Sequence, residues 1–116
     1  MPDCRDVMWL HIDDIPPVTT SHGVGEKRVL ATGEDVGSDV TQIARTLLRS
    51  GDKVDEHIHP TMLEHFFILS GKCIITIDNR CYSCTRGDYI FIPAGCCHEI
   101  DVIEETTMIT IGIKTE

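Results

Sequence analysis

GDKVDEHIHPTMLEHFFILSG, residues 51 to 71, decides how this chain folds. It sets three histidines (His57, His59, His65) and two glutamates (Glu56, Glu64) into a segment that otherwise reads as strand and turn. KVDEHIHP alternates apolar and polar residues, which places His57 and His59 on one face of an extended strand. A turn at Pro60 follows, and EHFFILSG reads as a buried strand closed by Gly71. Two imidazoles at i and i+2 on a strand lie close enough to hold one ion together. The competing reading is a polar strand whose histidines simply face water.

The pattern stays β to the end of the chain. CIITIDNRCYSC reads as a hairpin around Asp78, Asn79 and Arg80, GDYIFIPAG as a strand stopped by Pro93 and Gly95, and TTMITIGIK as β-branched alternation. Short strands at intervals of roughly ten residues imply a sandwich or barrel. Towards the N-terminus the signals are weaker. MWLHIDDIPPVT reads as a short strand ended by Pro16 and Pro17, and SHGVGEKRVLATGEDVGSD as a loop or a pair of weak strands. VTQIARTLLRSG reads locally as a helix, since Val40, Ile43, Ala44, Leu47 and Leu48 match a helical stripe, although the segment can also be drawn as a strand.

The 116 residues suit one domain. Lys and Arg number 10 against 19 Asp and Glu, a net charge of −9 that argues against nucleic acid and anionic membrane partners. The apolar runs are strand length, short of a membrane span. The acidic start, MPDCRDVMWLHIDDIPP, lacks the pattern of a signal peptide, so a soluble, cytoplasmic protein is expected. Six cysteines are present, but without a secretory signal they read as buried, inert thiols. Cys81 and Cys84, three apart on a strand, point to opposite faces and cannot easily clip a zinc ion. One of Cys96 and Cys97 is a candidate to line a site beside His98.

Glu64 lies just past the Pro60 turn and His98 just past the Pro93–Gly95 turn, where chain reversal can return a third imidazole to the first pair. Three nitrogens and one carboxylate oxygen suit Mn, Fe, Ni, Co or Zn, and a six-coordinate ion keeps two open positions. The alternatives are a satisfied loop histidine at His98 and a surface carboxylate at Glu64. The spacing Gly51-x5-His57-x-His59-x4-Glu64-x6-Gly71, followed after 15 residues by Gly87-x5-Pro93-x-Gly95-x2-His98, resembles the two motifs of the cupin family at every position. It is most similar to the small single-domain bacterial cupins. Val102 departs from the pattern, standing where the family usually has Asn.

That resemblance implies an all-β fold, a double-stranded β-helix or jelly-roll β-barrel over residues 1–116, with 1–28 as an N-terminal strand and arm. It implies His57, His59, Glu64 and His98 as ligands of one divalent transition metal. It also makes residues 40–50 a strand, with Gln42, Ala44, Thr46 and Leu48 facing the cavity and Arg45 and Arg49 outside. His65 faces away from Glu64 and is expected to be a packed or rim histidine. Asp55 and Glu56 are expected to be solvated, and Tyr89, Phe91, Met108 and Ile111 to belong to the core. His11 and His22 are assigned no role. Small cupins are commonly homodimers, which here implies contacts through Met8, Trp9, Leu10 and Ile12. Three functions remain open: a metal-dependent enzyme on a small chelating molecule, with dioxygenase-like oxidation foremost; a non-catalytic module binding a sugar or small carboxylate through the metal; and a metal-stabilised scaffold.

Overall fold

In the computed structural model, which describes residues 4–115, the chain forms eight strands: β1 (Val18–Thr19), β2 (Glu26–Thr32), β3 (Val40–Leu48), β4 (Lys53–His57), β5 (Met62–Ile77), β6 (Arg80–Thr85), β7 (Tyr89–Ile92) and β8 (His98–Lys114). Residues 1–3 and 116 of the expected domain lie outside the described residues. All pairings are antiparallel, and the two long strands carry the architecture. β5 pairs with β8 along almost its whole length, with register shifts between Ile68 and Cys73. On one side of that bend, β7 adds to β5, while β3, β2 and β1 extend from β8. On the other side, β6 adds to β5 and β4 to β8. Two sheets thus share β5 and β8 as their common spine, which is the jelly-roll β-barrel that the motif resemblance implies.

Gly71 sits at the bend with φ +89°. A Cβ there would run into the backbone carbonyl of Glu105 on β8, so the close crossing of the two long strands requires a residue without one. EHFFILSG is therefore not closed by Gly71; the strand bends there and continues to Ile77. The β5–β6 turn is the two-residue Asp78-Asn79, both at positive φ (46° and 70°), as a type I′ hairpin demands. Arg80, read from sequence as part of the turn, opens β6.

Cross-strand rows fill the interior. Ala44, Thr110 and Phe66 form one, Thr46, Met108 and Ile68 the next, and Val54, Ile100 and Ile75 a third across the bend. Ile68, Ile75, Ile92 and Met108 are fully buried, each stabilising the fold by about 1.5–3 kcal/mol. Residues 40–48 are strand, as the barrel requires. Their helical stripe arose because apolar side chains occupy both faces: Ala44 and Leu48 are buried inward, while Ile43 and Leu47 are half-buried on the other side.

Four further sequence readings fail. Residues 8–11 form no strand; short 3-10 turns at Cys4–Asp6 and Ile12–Asp14 lead to Pro16 and Pro17, and β1 follows the prolines rather than preceding them. The run Phe66–Leu69 is only half buried, since Phe67 and Leu69 point outward. Tyr89 and Phe91 are not core, at 58% and 44% exposure, because β7 turns them to the outside of the barrel. Cys4 and Cys81 are exposed rather than buried, and Cys84, facing the other way from Cys81, is in the core. Among the described residues no helix is long and apolar enough to cross a membrane.

Candidate metal centre

The quartet predicted from sequence converges. His57 ends β4 and His98 opens β8, and the two are direct partners in the ladder, which sets their rings 4.2 Å apart between centroids. His59 follows two residues after His57 on the same side, its ring 4.8 Å from that of His57. Glu64 enters from β5, with Oε1 3.2 Å from His98 Nε2 and 3.5 Å from His59 Nε2. One donor atom from each of the four lies within 4.8 Å of every other. Donors on a single ion at about 2.1 Å are at most about 4.2 Å apart, so an adjustment of about half an ångström closes the shell.

Local backbone contacts aim these side chains. His57 Nδ1 lies 2.8 Å from the Asp55 carbonyl and His98 Nδ1 3.0 Å from the Cys96 carbonyl. A carbonyl only accepts, so each Nδ1 carries the hydrogen and each Nε2 presents a lone pair. The turn before His98 is pinned at both ends. Gly95 donates its N–H to the His59 carbonyl at 3.0 Å, while the Asp78 N–H donates to the Cys97 carbonyl at 3.0 Å and the Cys97 N–H to the Asp78 carboxylate at 3.2 Å. The chain reversal at Pro93–Gly95 is thereby locked to the segment carrying the first two histidines.

Electrostatics in the metal-free protein fits an ion-sized gap. His98, only 2% exposed, is pulled down by burial, but Glu64 and the Cys96 carbonyl outweigh that and hold it above its usual 6.5. Its Nε2 and Glu64 Oε1 are close, yet neither makes an aligned hydrogen bond, leaving both as buried polar atoms without a partner. Such atoms are rare in native interiors and mark a missing ligand. Burial, with His57 and His98 nearby, holds His59 below 6.5 despite Glu64. The two shifts act oppositely on the metal-free fold. The contribution of His98 is present below pH 6.5 and lost as pH rises through its raised value; the penalty at His59 appears only as pH falls below 6.5. Three neutral imidazoles and one carboxylate suit a borderline divalent metal.

The quartet lies at one end of a cavity of about 100 Å³. Leu48, Val54, Phe66, Ile100 and Met108 supply its apolar wall, and Gln42, Thr46 and Thr110 a polar one. Of the β3 row expected to face the cavity, Gln42, Thr46 and Leu48 line it, joined by Thr41; Ala44, fully buried in the row of Thr110 and Phe66, does not. His65 lies outside the barrel, its Nδ1 2.6 Å from the Tyr89 hydroxyl and its ring stacked against Tyr89 and Phe91. Asp55 and Glu56 are exposed. Neither Cys96 nor Cys97 lines the metal cavity. His22 does, with its ring 5.8 Å from that of His57. Thr20 gives its hydroxyl hydrogen to the Val24 carbonyl and so accepts from His22 Nδ1, leaving His22 Nε2 as an acceptor. Burial, then His57, lowers the His22 pKa. No spacing in the sequence marks His22; the loop from β1 to β2 delivers it.

A family model for the cupin domain matches residues 44–113, from the inward row of β3 to the penultimate residue of β8. The chain belongs to the cupin family. This cupin is 32% identical over 92 residues to the uncharacterized protein MJ1618 of Methanocaldococcus jannaschii, covering 78% of this chain and 72% of that one. It is 36% identical over 70 residues to quercetin 2,3-dioxygenase of Bacillus subtilis, a match spanning 60% of this chain but only 20% of that enzyme. Among solved structures, a predicted oxalate decarboxylase from Thermotoga maritima superposes with a TM-score of 0.79 at 23% identity, covering 92% of this chain and 99% of that one. At that identity the likeness speaks for the fold alone.

Proposed function

We propose that this cupin is a metal-dependent enzyme that oxidises a small chelating carboxylate, diketone or phenol with dioxygen. One observation carries the reading: the unpartnered Glu64 Oε1 and His98 Nε2 face each other at the end of a cavity whose other walls are mixed apolar and polar. His57, His59, Glu64 and His98 would hold the metal, which supplies Lewis-acid and redox chemistry at its remaining positions. The chain's own residues do the rest. The carbonyls of Asp55 and Cys96 fix two imidazoles in the ligating tautomer, and Leu48, Val54, Phe66 and Ile100 keep water from one side of the substrate. His22 Nε2 can hold a proton at the rim, the one imidazole lining the cavity outside the quartet. Similarity to quercetin 2,3-dioxygenase supports oxidation among the chemistries a cupin can host.

The test is oxygen uptake by protein reconstituted separately with Mn, Fe, Co, Ni and Zn against a panel of chelating carboxylates, diketones and phenols. Turnover with at least one redox-active metal is expected, and none with Zn. Silence with every metal would move the assignment to a non-catalytic module that binds a sugar or small carboxylate through the same ion.

The proposal extends to a cytoplasmic homodimer. Val7, Met8, Trp9 and Leu10 are exposed, Trp9 at 95%, and Phe67, Leu69, Tyr89 and Phe91 form a second exposed apolar surface; Ile12 is half-buried. Surfaces of this kind favour association. Light scattering is expected to give twice the chain mass, and Trp9→Glu to shift the species towards monomer; a wild type that stays monomeric contradicts the dimer.

A further inference from the structure

Lys27 is an inward-facing cation without a counter-ion. It pairs with Thr46 in the β2–β3 ladder, and directly opposed residues of an antiparallel pair share a face. Thr46 belongs to a row that points into the barrel, so Lys27 does too; it is half-buried and lines the cavity. Its neighbours on β2, Glu26 and Arg28, have outward partners: Glu26 meets Arg49 at 3.8 Å, and Arg28 binds the carbonyls of Ile12 and Ile15. Among the described residues Lys27 itself makes no ion pair, although the chain carries 19 acidic residues. Among the described residues the one carboxylate lining the cavity is Glu64, which faces the imidazoles of His59 and His98.

Gln42 supplies a second unmet demand. In the ladder it lies beside Gly112, which lies beside Glu64, so the amide and the ligand carboxylate flank one glycine on the inner face. Gln42 Oε1 is buried without a hydrogen-bond partner. The nearby hydroxyls are satisfied, since Thr110 binds the Ala44 carbonyl at 3.4 Å and Thr46 binds Thr110 at 2.9 Å. A charge and an amide are therefore left open towards the same space as the metal site. Buried polar groups are ordinarily paired, and an amide offers a donor and an acceptor side by side.

Resting on the metal-centre reading above, we infer that the substrate is an anion with two acidic ends: a chelating head for the metal and a second carboxylate or ionised enol held by Lys27, while the open Gln42 oxygen, an acceptor, takes a hydrogen from an uncharged group or a water beside it. A cavity of about 100 Å³, at 10–15 Å³ for each water-sized group, admits roughly seven to ten non-hydrogen atoms. That is the size of a short dicarboxylate and excludes polymers and fused-ring molecules unless they protrude. Lys27 reads charge on a part of the ligand other than the chelating head, while the apolar residues that share the cavity tolerate a short carbon chain.

Calorimetric titration of Ni-loaded protein with matched 2-oxo acids tests this. 2-Oxoglutarate is compared with 2-oxopentanoate, and oxaloacetate with 2-oxobutanoate; within each pair the chelating head is shared and only the terminal carboxylate differs. At least one diacid is expected to bind ~10-fold or more tightly than its partner. Lys27→Met should erase that preference while leaving the monoacid within about twofold, which also shows that the variant is folded. Lys27→Arg should keep the preference, and Gln42→Glu, adding a like charge, should weaken the diacid more than the monoacid. Equal affinities in both pairs, a preference that survives Lys27→Met, or no binding of any oxo acid to metal-loaded protein would overturn the inference. Nickel measured on the same samples separates the two failures: protein without nickel counts against the metal centre, and loaded protein blind to charge counts against the Lys27 subsite.

Discussion

His98→Ala is expected to strip the metal from the protein, lowering affinity for Ni or Mn by at least ~100-fold in equilibrium titration. Groups that only hydrogen-bond a metal ligand are typically worth 10- to 100-fold, and His98 is both a proposed ligand and the imidazole that Glu64 approaches at 3.2 Å. The loss should be accompanied by a proton signature. In the wild type His98 sits above its usual 6.5, so a proton on its ring competes with the metal. Affinity should therefore fall as pH drops through and below that raised value, by up to tenfold per unit for each proton displaced. The residual binding of His98→Ala should have a pH slope shallower by about one proton. His65→Ala, on the outer face against Tyr89 and Phe91, should leave affinity within about twofold. A His98→Ala protein with undiminished metal affinity would remove His98 from the centre.

The second large effect is on stability. Gly71→Ala combines a φ of +89° with a collision against the Glu105 carbonyl, where the two strands shared by both sheets bend together. The cost should be on the order of 3 kcal/mol in denaturant unfolding, since positive-φ strain and overpacking each contribute about 1–3 kcal/mol. Gly87→Ala is the control. Its φ is also +89°, but nothing lies within 4 Å of the added Cβ, so only the conformational cost of about 1 kcal/mol remains. Equal losses from the two variants would mean that the approach of β8 to Gly71 does not constrain the bend.

The centre was legible in the sequence because metal ligation needs particular side chains at fixed offsets. H-x-H puts two imidazoles on one strand face, and turns at Pro60 and at Pro93–Gly95 bring in Glu64 and His98. Period-two alternation downstream of residue 53 gave a β sandwich or barrel, and the spacing of the two motifs, through its resemblance to the cupins, chose the jelly-roll barrel. Elsewhere the local signal was mixed. Apolar residues on both faces of β3 mimicked a helix, and the barrel decided for strand. Phe67, Tyr89 and Phe91 read as core because their chemistry is apolar, yet β5 and β7 turn them outward; composition does not say which face of a strand is covered. His22 and Lys27 were invisible for another reason. They reach the cavity through the β1–β2 connection and the β2–β3 register, both long-range facts that no local spacing encodes.

The central claim is that the four converging side chains form a metal centre. Elemental analysis of protein purified without added metal, followed by titration of the chelator-treated protein, tests it most directly. Close to one transition-metal ion per chain is expected, with thermal stabilisation when Mn, Fe, Co, Ni or Zn is returned. Absence of metal together with no stabilisation by any of the five would contradict it.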